Sequence, residues 1–265
     1  MRLLLAGCGK MGGAILQRVS GDSTACVVDP APAPPHFKSH AKITWLHKPD
    51  EIEAGFQPDI VILAMKPQHM AEAVPAYAKF RQSVFLSIAA GMPIARINSF
   101  LKDGGHAIVR SMPNLPASIG EGMSVAVANS HVTPQQRDLC GRILEAVGKK
   151  FWVEDESLLD AVTALSGNGP AYVFALCEAM AKAGEALGLP PDMANELARQ
   201  TVIGSGALLA QSDQSAEKLR IAVTSPGGTT EAALKQLLAA GGLHDLMLKA
   251  MKDAAARAKE LAKLA

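Results

Sequence analysis

The chain has 265 residues, 49% of them hydrophobic, which is material for one large domain or two modest ones. Lys plus Arg number 26 against 25 for Asp plus Glu, a net charge of +1, and aromatic residues make up 4%. A chain so balanced and so poor in aromatic rings lacks the field and the stacking surface of a nucleic-acid binder, and its apolar content excludes extensive disorder.

The first expected strand, Arg2–Ala6, runs straight into Gly7-Cys8-Gly9-Lys10-Met11-Gly12 and a helical stretch over Met11–Val19. Strand, G-x-G-x-x-G and helix in that order are the fingerprint of a dinucleotide site. The first glycine makes the tight turn, the second lets the backbone approach a pyrophosphate, and the third permits close helix–strand packing. The anion then rests on free N–H groups at the helix start, so Gly7, Cys8, Gly9, Lys10, Met11 and Gly12 are expected around a cofactor. The same glycines cut the apolar start too short for a secretory leader. The second strand, Ala25–Val28, ends at Asp29, where an acid bonds the ribose 2′-hydroxyl of NAD. His36 and Lys38 follow, with positive charge for a 2′-phosphate if the loop folds back. NADH and NADPH both stand open.

Further strands are expected at Ile43–Trp45, Ile60–Met65, Val84–Ile88, Ala107–Val109, Ser124–Val127 and Phe151–Val153, with a helix over Pro134–Val147. Runs as uniformly apolar as Ile60-Val61-Ile62-Leu63-Ala64 indicate a mostly parallel sheet covered on both faces. Ligands bind beyond the carboxyl ends of such strands. Three ends stand out: Ala64-Met65-Lys66-Pro67, Ala89-Ala90 after Ser87, and Asn114 within Arg110-Ser111-Met112-Pro113-Asn114-Leu115-Pro116. Position alone leaves Lys66 either a ligand contact or a solvated surface lysine.

From residue 156 the character changes to Ala- and Leu-rich segments, roughly 157–166, 171–187, 191–211, 215–222, 229–240 and 243–264. The fold class is therefore α/β: a Rossmann-type dinucleotide-binding domain over 1–155, then an all-α domain over 156–265. The uncharged stretch Thr201–Ser212 has no face suited to water, so a homodimer through the helical domain is expected. No segment reads as a membrane span. Cys8, Cys26, Cys140 and Cys177 lack metal-ligand or disulfide spacing, which points to reduced thiols in the cytoplasm and to no bound metal.

One loop of the helical half is over-equipped for capping. Ser225-Pro226-Gly227-Gly228-Thr229-Thr230 opens a helix, with a backbone free to turn and three hydroxyls where one suffices. It suits a small anion, and Ser225, Gly228, Thr229 and Thr230 are the expected substrate contacts.

The glycine loop, the strand ends AMKPQ and SIAAG, and RSMPNLPASIGEGM, LSGNGPAYVF and SPGGTT together resemble pyrroline-5-carboxylate reductase, essentially from end to end. The resemblance implies NADPH- or NADH-dependent reduction of 1-pyrroline-5-carboxylate to L-proline, the last step of proline synthesis. It also implies an interlocked dimer, in some members assembled into a decamer. Ala6 to Met11 and Ala64 to Pro67 would line the cofactor, and Ser225, Thr229 and Thr230 would hold the substrate. The chain departs from the family at Asn168, commonly serine or cysteine, at Leu115, commonly threonine, and at Asp29, where members often lack an acid and prefer NADPH.

The chemistry suits these residues. A protonated cyclic imine is already electrophilic, so an anion pocket, a reduced nicotinamide and correct orientation suffice. The substrate carboxylate is expected on N–H groups around Gly228–Thr230, with the Thr230 hydroxyl at the ring nitrogen and Lys66 steering the carboxylate or touching the cofactor. A β-hydroxyacid-dehydrogenase-like enzyme fits poorly, because no lysine follows Gly167-Asn168-Gly169 until Lys182. A non-catalytic NAD(P)-binding regulator is the rival from another class, and it leaves SPGGTT without a ligand.

Overall fold

The computed structural model of the protein describes residues 1–102 and 104–264, without the side chains of Asp22, Lys263 and Leu264. The chain divides into two compact units, residues 1–168 together with those from Ala254 onward, and Gly169–Asp253.

The first unit holds one sheet. Its strands are β1 (Arg2–Ala6), β2 (Thr24–Val28), β3 (Ile43–Leu46), β4 (Ile60–Leu63), β5 (Val84–Ser87), β6 (Ala107–Met112), β7 (Gly122–Ala128) and β8 (Gly148–Trp152). They lie in the order β3-β2-β1-β4-β5-β6-β7-β8, and every neighbouring pair is parallel except β6 with β7. The helices of this unit are α1 (Lys10–Val19), α2 (Pro35–Lys38), α3 (Met70–Ala73), α4 (Ile94–Phe100), α5 (Pro134–Glu145) and α6 (Leu158–Val162), the last passing into a π-type turn over Thr163–Gly167.

Alternation of side chains explains why the strands read as unbroken apolar runs. Leu3, Leu5, Val27, Ile62 and Leu86 point to one face and pack with Ile15 and Leu16 of α1 and Ile143 and Leu144 of α5. Leu4, Ala6, Val28, Val61 and Leu63 point to the other and pack with Met70, Tyr77 and Ile97. Both faces are covered, which is why the central strands carry apolar residues at consecutive positions.

Of the strand ends that differ from expectation, two have a clear physical cause. β4 stops at Leu63 because Lys66, extended at φ −65° and ψ 145°, leads the chain into Pro67 and out of the ladder. β6 continues past Val109 to Met112, because Arg110 is neutralised in place. Its Nη1 lies 2.8 Å from Glu156 Oε1, the oxygen that also accepts from the Ile94 N–H. A paired buried charge inside a strand looks, in sequence, like the strand's end.

Register aligns the carboxyl edge. Ala6 pairs with Val28 and Leu63, Val28 with Leu46, and Leu63 with Ser87. The following residues, Gly7, Asp29, His47, Ala64 and Ile88, therefore leave the sheet in one row. β1 sits where strand order reverses, the place at which such sheets bind ligands.

The second unit comprises α7 (Gly169–Ala186), α8 (Pro191–Gln211), α9 (Ala216–Ala222), α10 (Thr229–Leu237) and the first part of α11 (Leu243–Leu264), whose residues from Ala254 belong to the first unit. In that first unit Leu261 Cβ comes within 3.6 Å of where a side chain on Gly91, just beyond β5, would begin. α7 and α8 pack through small residues, and a Cβ on Gly184 would lie 3.3 Å from the Ala194 Cβ. Among the described residues of the second unit only Ala181, Ala194 and Ala198 are buried, while Phe174, Leu197, Ile203 and Leu208 are each more than half exposed. Three alanines cannot offset the entropy of ordering five helices, so the remaining apolar surface has to be covered by another chain. Leu208→Asp is expected to convert a dimer into monomer in sedimentation velocity; a variant that sediments as the parent does would show that this face is not the covered one.

Candidate active site

The glycine turn is fixed by contact. Gly7 has φ +88°, and a Cβ there would lie 2.9 Å from the Met65 backbone nitrogen. A Cβ on Gly12 would lie 2.6 Å from the Gly7 carbonyl oxygen and 3.0 Å from the Ala64 Cβ. These two glycines let α1 and the ends of β1 and β4 close on one another. Gly9 differs, because no atom lies within 4 Å of its Cβ position. It is also the N-cap of α1, with no side-chain cap, and the first turn carries no acid. An open place before uncapped N–H groups fits the pyrophosphate of a dinucleotide.

Two clefts flank this turn. One, of about 450 Å³, is lined by Gly7, Gly9, Asp29, Ala64, Met65 and Lys66, six residues expected from sequence, and also by His47, His69, Glu72 and Tyr77. The other, of about 370 Å³, is lined by Cys8, Gly9, Lys10, Pro34, His36 and Ser118, among others. Ala6 is fully buried in β1, and Met11 packs on the core beneath α1, so both shape the turn from behind. Pro67 begins the short helical turn that carries His69.

Asp29 ties β2 to the glycine turn. The Cys8 N–H donates to one carboxylate oxygen at 2.6 Å and the Ala31 N–H to the other at 2.8 Å. Burial, and after it the Asp29 charge, pushes the Cys8 thiol up to about 11. Cys8 thus stays a neutral thiol at ordinary pH and is no nucleophile.

The other strand ends lie farther along the same unit. Ala89 is buried and Ala90 exposed at the end of β5. Asn114 is engaged: its amide donates to the Ser166 carbonyl at 3.0 Å and accepts from the Met123 N–H at 2.9 Å. It pins the loop after β6 and leaves main chain rather than its side chain for a ligand. Leu115 beside it is exposed.

The loop of the second unit keeps its hydroxyls free. Gly228 is the N-cap of α10 and contributes no side chain. Gly227, at φ +71°, donates its N–H to Glu231 Oε2 at 2.7 Å, which holds the loop's shape. Ser225, Thr229 and Thr230 are exposed, and none of their hydroxyls is bonded within the described residues. Ser225, Gly228, Thr229 and Thr230 therefore stand together at an uncapped helix start, as their spacing predicts.

His47, His69, Glu72 and Tyr77 were missed by sequence. His47 was within reach, since it follows β3 as Asp29 follows β2. The other three lie on a short, broken helical segment whose pattern carries no such signal.

A mostly parallel sheet with its strand order reversing at a glycine turn, joined to a helical unit without its own core, defines a dinucleotide-dependent oxidoreductase of the Rossmann type. Residues 3–91 match the family described as NADP oxidoreductase, coenzyme F420-dependent, and residues 156–261 match pyrroline-5-carboxylate reductase dimerisation. The pyrroline-5-carboxylate reductase of Pseudomonas aeruginosa is 37% identical over 98% of this chain and 97% of its own length, and that of Synechocystis sp. 36% over 99% of each. The solved pyrroline-5-carboxylate reductase of Coxiella burnetii superposes with a TM-score of 0.88 at 33% identity, over 98% of this chain and 97% of that one. The chain belongs to the pyrroline-5-carboxylate reductase family. Among the described residues no helix is long and apolar enough to cross a membrane, and no cluster of three His, Cys, Asp or Glu is placed to hold a metal.

Gly9→Ala is expected to leave the melting temperature unchanged while weakening nucleotide binding at least tenfold, because its methyl group enters the open cradle and meets no protein atom. Gly12→Ala is expected to lower the melting temperature instead, since its methyl group collides with backbone. Thermal melts beside nucleotide titrations of both variants check the pair of outcomes.

Proposed function

We propose that the chain reduces 1-pyrroline-5-carboxylate to L-proline with NADPH or NADH, as the last step of proline biosynthesis, and that it works as a homodimer built through its helical unit. The observation that carries this reading is the Ser225–Thr230 loop, whose three unbonded hydroxyls and uncapped N–H groups match a small carboxylate bearing a ring nitrogen. Kinship over almost the whole length of two reductases supports the same reaction. The four cysteines are free thiols, which suits the cytoplasm.

The residues divide the work. The N–H groups at the start of α10 hold the substrate carboxylate, and the Ser225 and Thr229 hydroxyls fix its orientation. Thr230 offers its hydroxyl to the ring nitrogen and stabilises the protonated imine. Gly7 to Gly12 hold the pyrophosphate. Lys66, in the cleft with Asp29, contacts the cofactor rather than the imine. Ala89, Ala90 and the main chain at Asn114 wall the nicotinamide side. When bound, the reduced nicotinamide supplies a hydride to the imine carbon, the ring nitrogen already carrying its proton. Orientation is then the chief contribution of the protein.

Purified protein given 1-pyrroline-5-carboxylate is expected to consume nicotinamide absorbance. Binding of nucleotide without any turnover would favour the non-catalytic regulator. Thr230→Ala removes one hydrogen bond to a charged group, about 1.5–3 kcal/mol, so kcat/KM is expected to fall roughly ten- to a hundredfold with the melting temperature unchanged. Near-full kcat/KM in that variant would remove Thr230 from the imine.

A further inference from the structure

Asp29 is held more firmly than a ribose ligand requires. One carboxylate oxygen accepts from Cys8 N–H in the glycine turn, the other from Ala31 N–H two residues on. The second bond closes a turn over Asp29, Pro30 and Ala31, and the Trp45 indole on β3 secures it by donating to the Ala31 carbonyl at 3.0 Å. Pro30 has no N–H to offer. The free backbone donors that a phosphate would seek at the end of β2 are thus already occupied by a carboxylate.

Positive charge is distant or turned away. No Lys or Arg stands between Asp29 and Lys38. His36 sits against the Phe37 ring, at 4.2 Å between centroids, and lines the other cleft with Lys10. Lys66 and His69 enter the Asp29 cleft from the β4 side, two strands or about 10 Å across the sheet from the end of β2. His47, beside Asp29, directs Nδ1 at the Asp29 carbonyl oxygen at 3.3 Å.

A ribose 2′-hydroxyl can donate to a fixed carboxylate, whereas a 2′-phosphate meets a like charge and finds the Cys8 and Ala31 N–H groups already taken. From this juxtaposition we infer that Asp29 makes the protein select NADH over NADPH, by seating a carboxylate on the two N–H groups that a 2′-phosphate would use. The inference rests on the reading of the chain as a nicotinamide-dependent reductase, and it concerns binding alone.

Tryptophan-fluorescence titration of the intact protein with NADH and with NADPH, without imine, gives a Kd for each. NADH is expected to bind at least tenfold more tightly. Asp29→Ser removes the charge and frees both N–H groups, and should shift the ratio of Kd values towards NADPH by roughly ten- to a hundredfold. Asp29→Asn keeps the shape of the turn and should shift the ratio the same way by less, which separates loss of charge from collapse of the turn. Parent protein that binds NADPH as tightly as NADH, or an unchanged ratio in Asp29→Ser, would overturn the inference. So would loss of NADPH binding in His36→Ala, which would put the phosphate in the other cleft. Selective NADH binding without imine turnover would leave the inference standing and sink the reductase reading instead.

Discussion

On leaving Ala6 the chain has to quit a strand bonded on both sides and begin a helix within four residues. The path it takes passes so close to the Met65 backbone that Gly7 has no space for a side chain. Because β1 lies between β2 and β4, this turn also sets what neighbours it: Asp29 accepts from its Cys8 N–H on one side, and Ala64 packs against it from the other. The cradle at Gly9, the direction of α1 and both flanking clefts follow from one backbone approach. Chemistry at this edge is therefore built from main chain, with side chains adjusting it.

The two units obtain stability by opposite means. The sheet unit buries Leu, Ile, Val and Phe on both faces and leaves its carboxyl edge open. The helical unit buries little beyond alanine and keeps its large side chains outside. Small residues between α7 and α8 let the helices approach closely, and the gain from covering apolar surface is left to association. The free hydroxyls of the Ser225–Thr230 loop belong to this second unit, so the loop proposed to hold the substrate lies on the part that depends on a second chain for its order.

Much of this was legible in the sequence, for physical reasons that differ by element. The central strands were visible because a doubly covered sheet demands an unbroken apolar run, and the glycine turn because each of its glycines answers a distinct need. β8 opens on Gly148-Lys149-Lys150, and only its apolar end, Phe151-Trp152, could be read. Strand ends were harder. Arg110 looked like an exit from the sheet and is instead an interior residue balanced by Glu156, a partner that lies far along the chain. Asp29 stands at the end of β2 as its position in the sequence indicates, but its bonds to Cys8 and Ala31 depend on how the turn folds. Asn114 was placed at a ligand-facing strand end, yet its amide serves the loop itself. Sequence periodicity reports which face a residue takes, and it is silent on which partner a polar group finds there.

The course of α11 gives the molecule a constraint of order in time. The sheet unit is not continuous in the chain: it comprises residues 1–168 and the turns from Ala254 onward, with Leu261 beside the loop at Gly91. A ribosome delivers the strands first and the closing helical turns last, after all of the helical unit has emerged. The nascent sheet must then wait, with the end of β5 uncovered, until synthesis of that helix is nearly complete. Changes in the last turns of α11 would consequently be felt in the loop beyond β5, in the middle of the sheet, a link that the linear map of two successive domains hides.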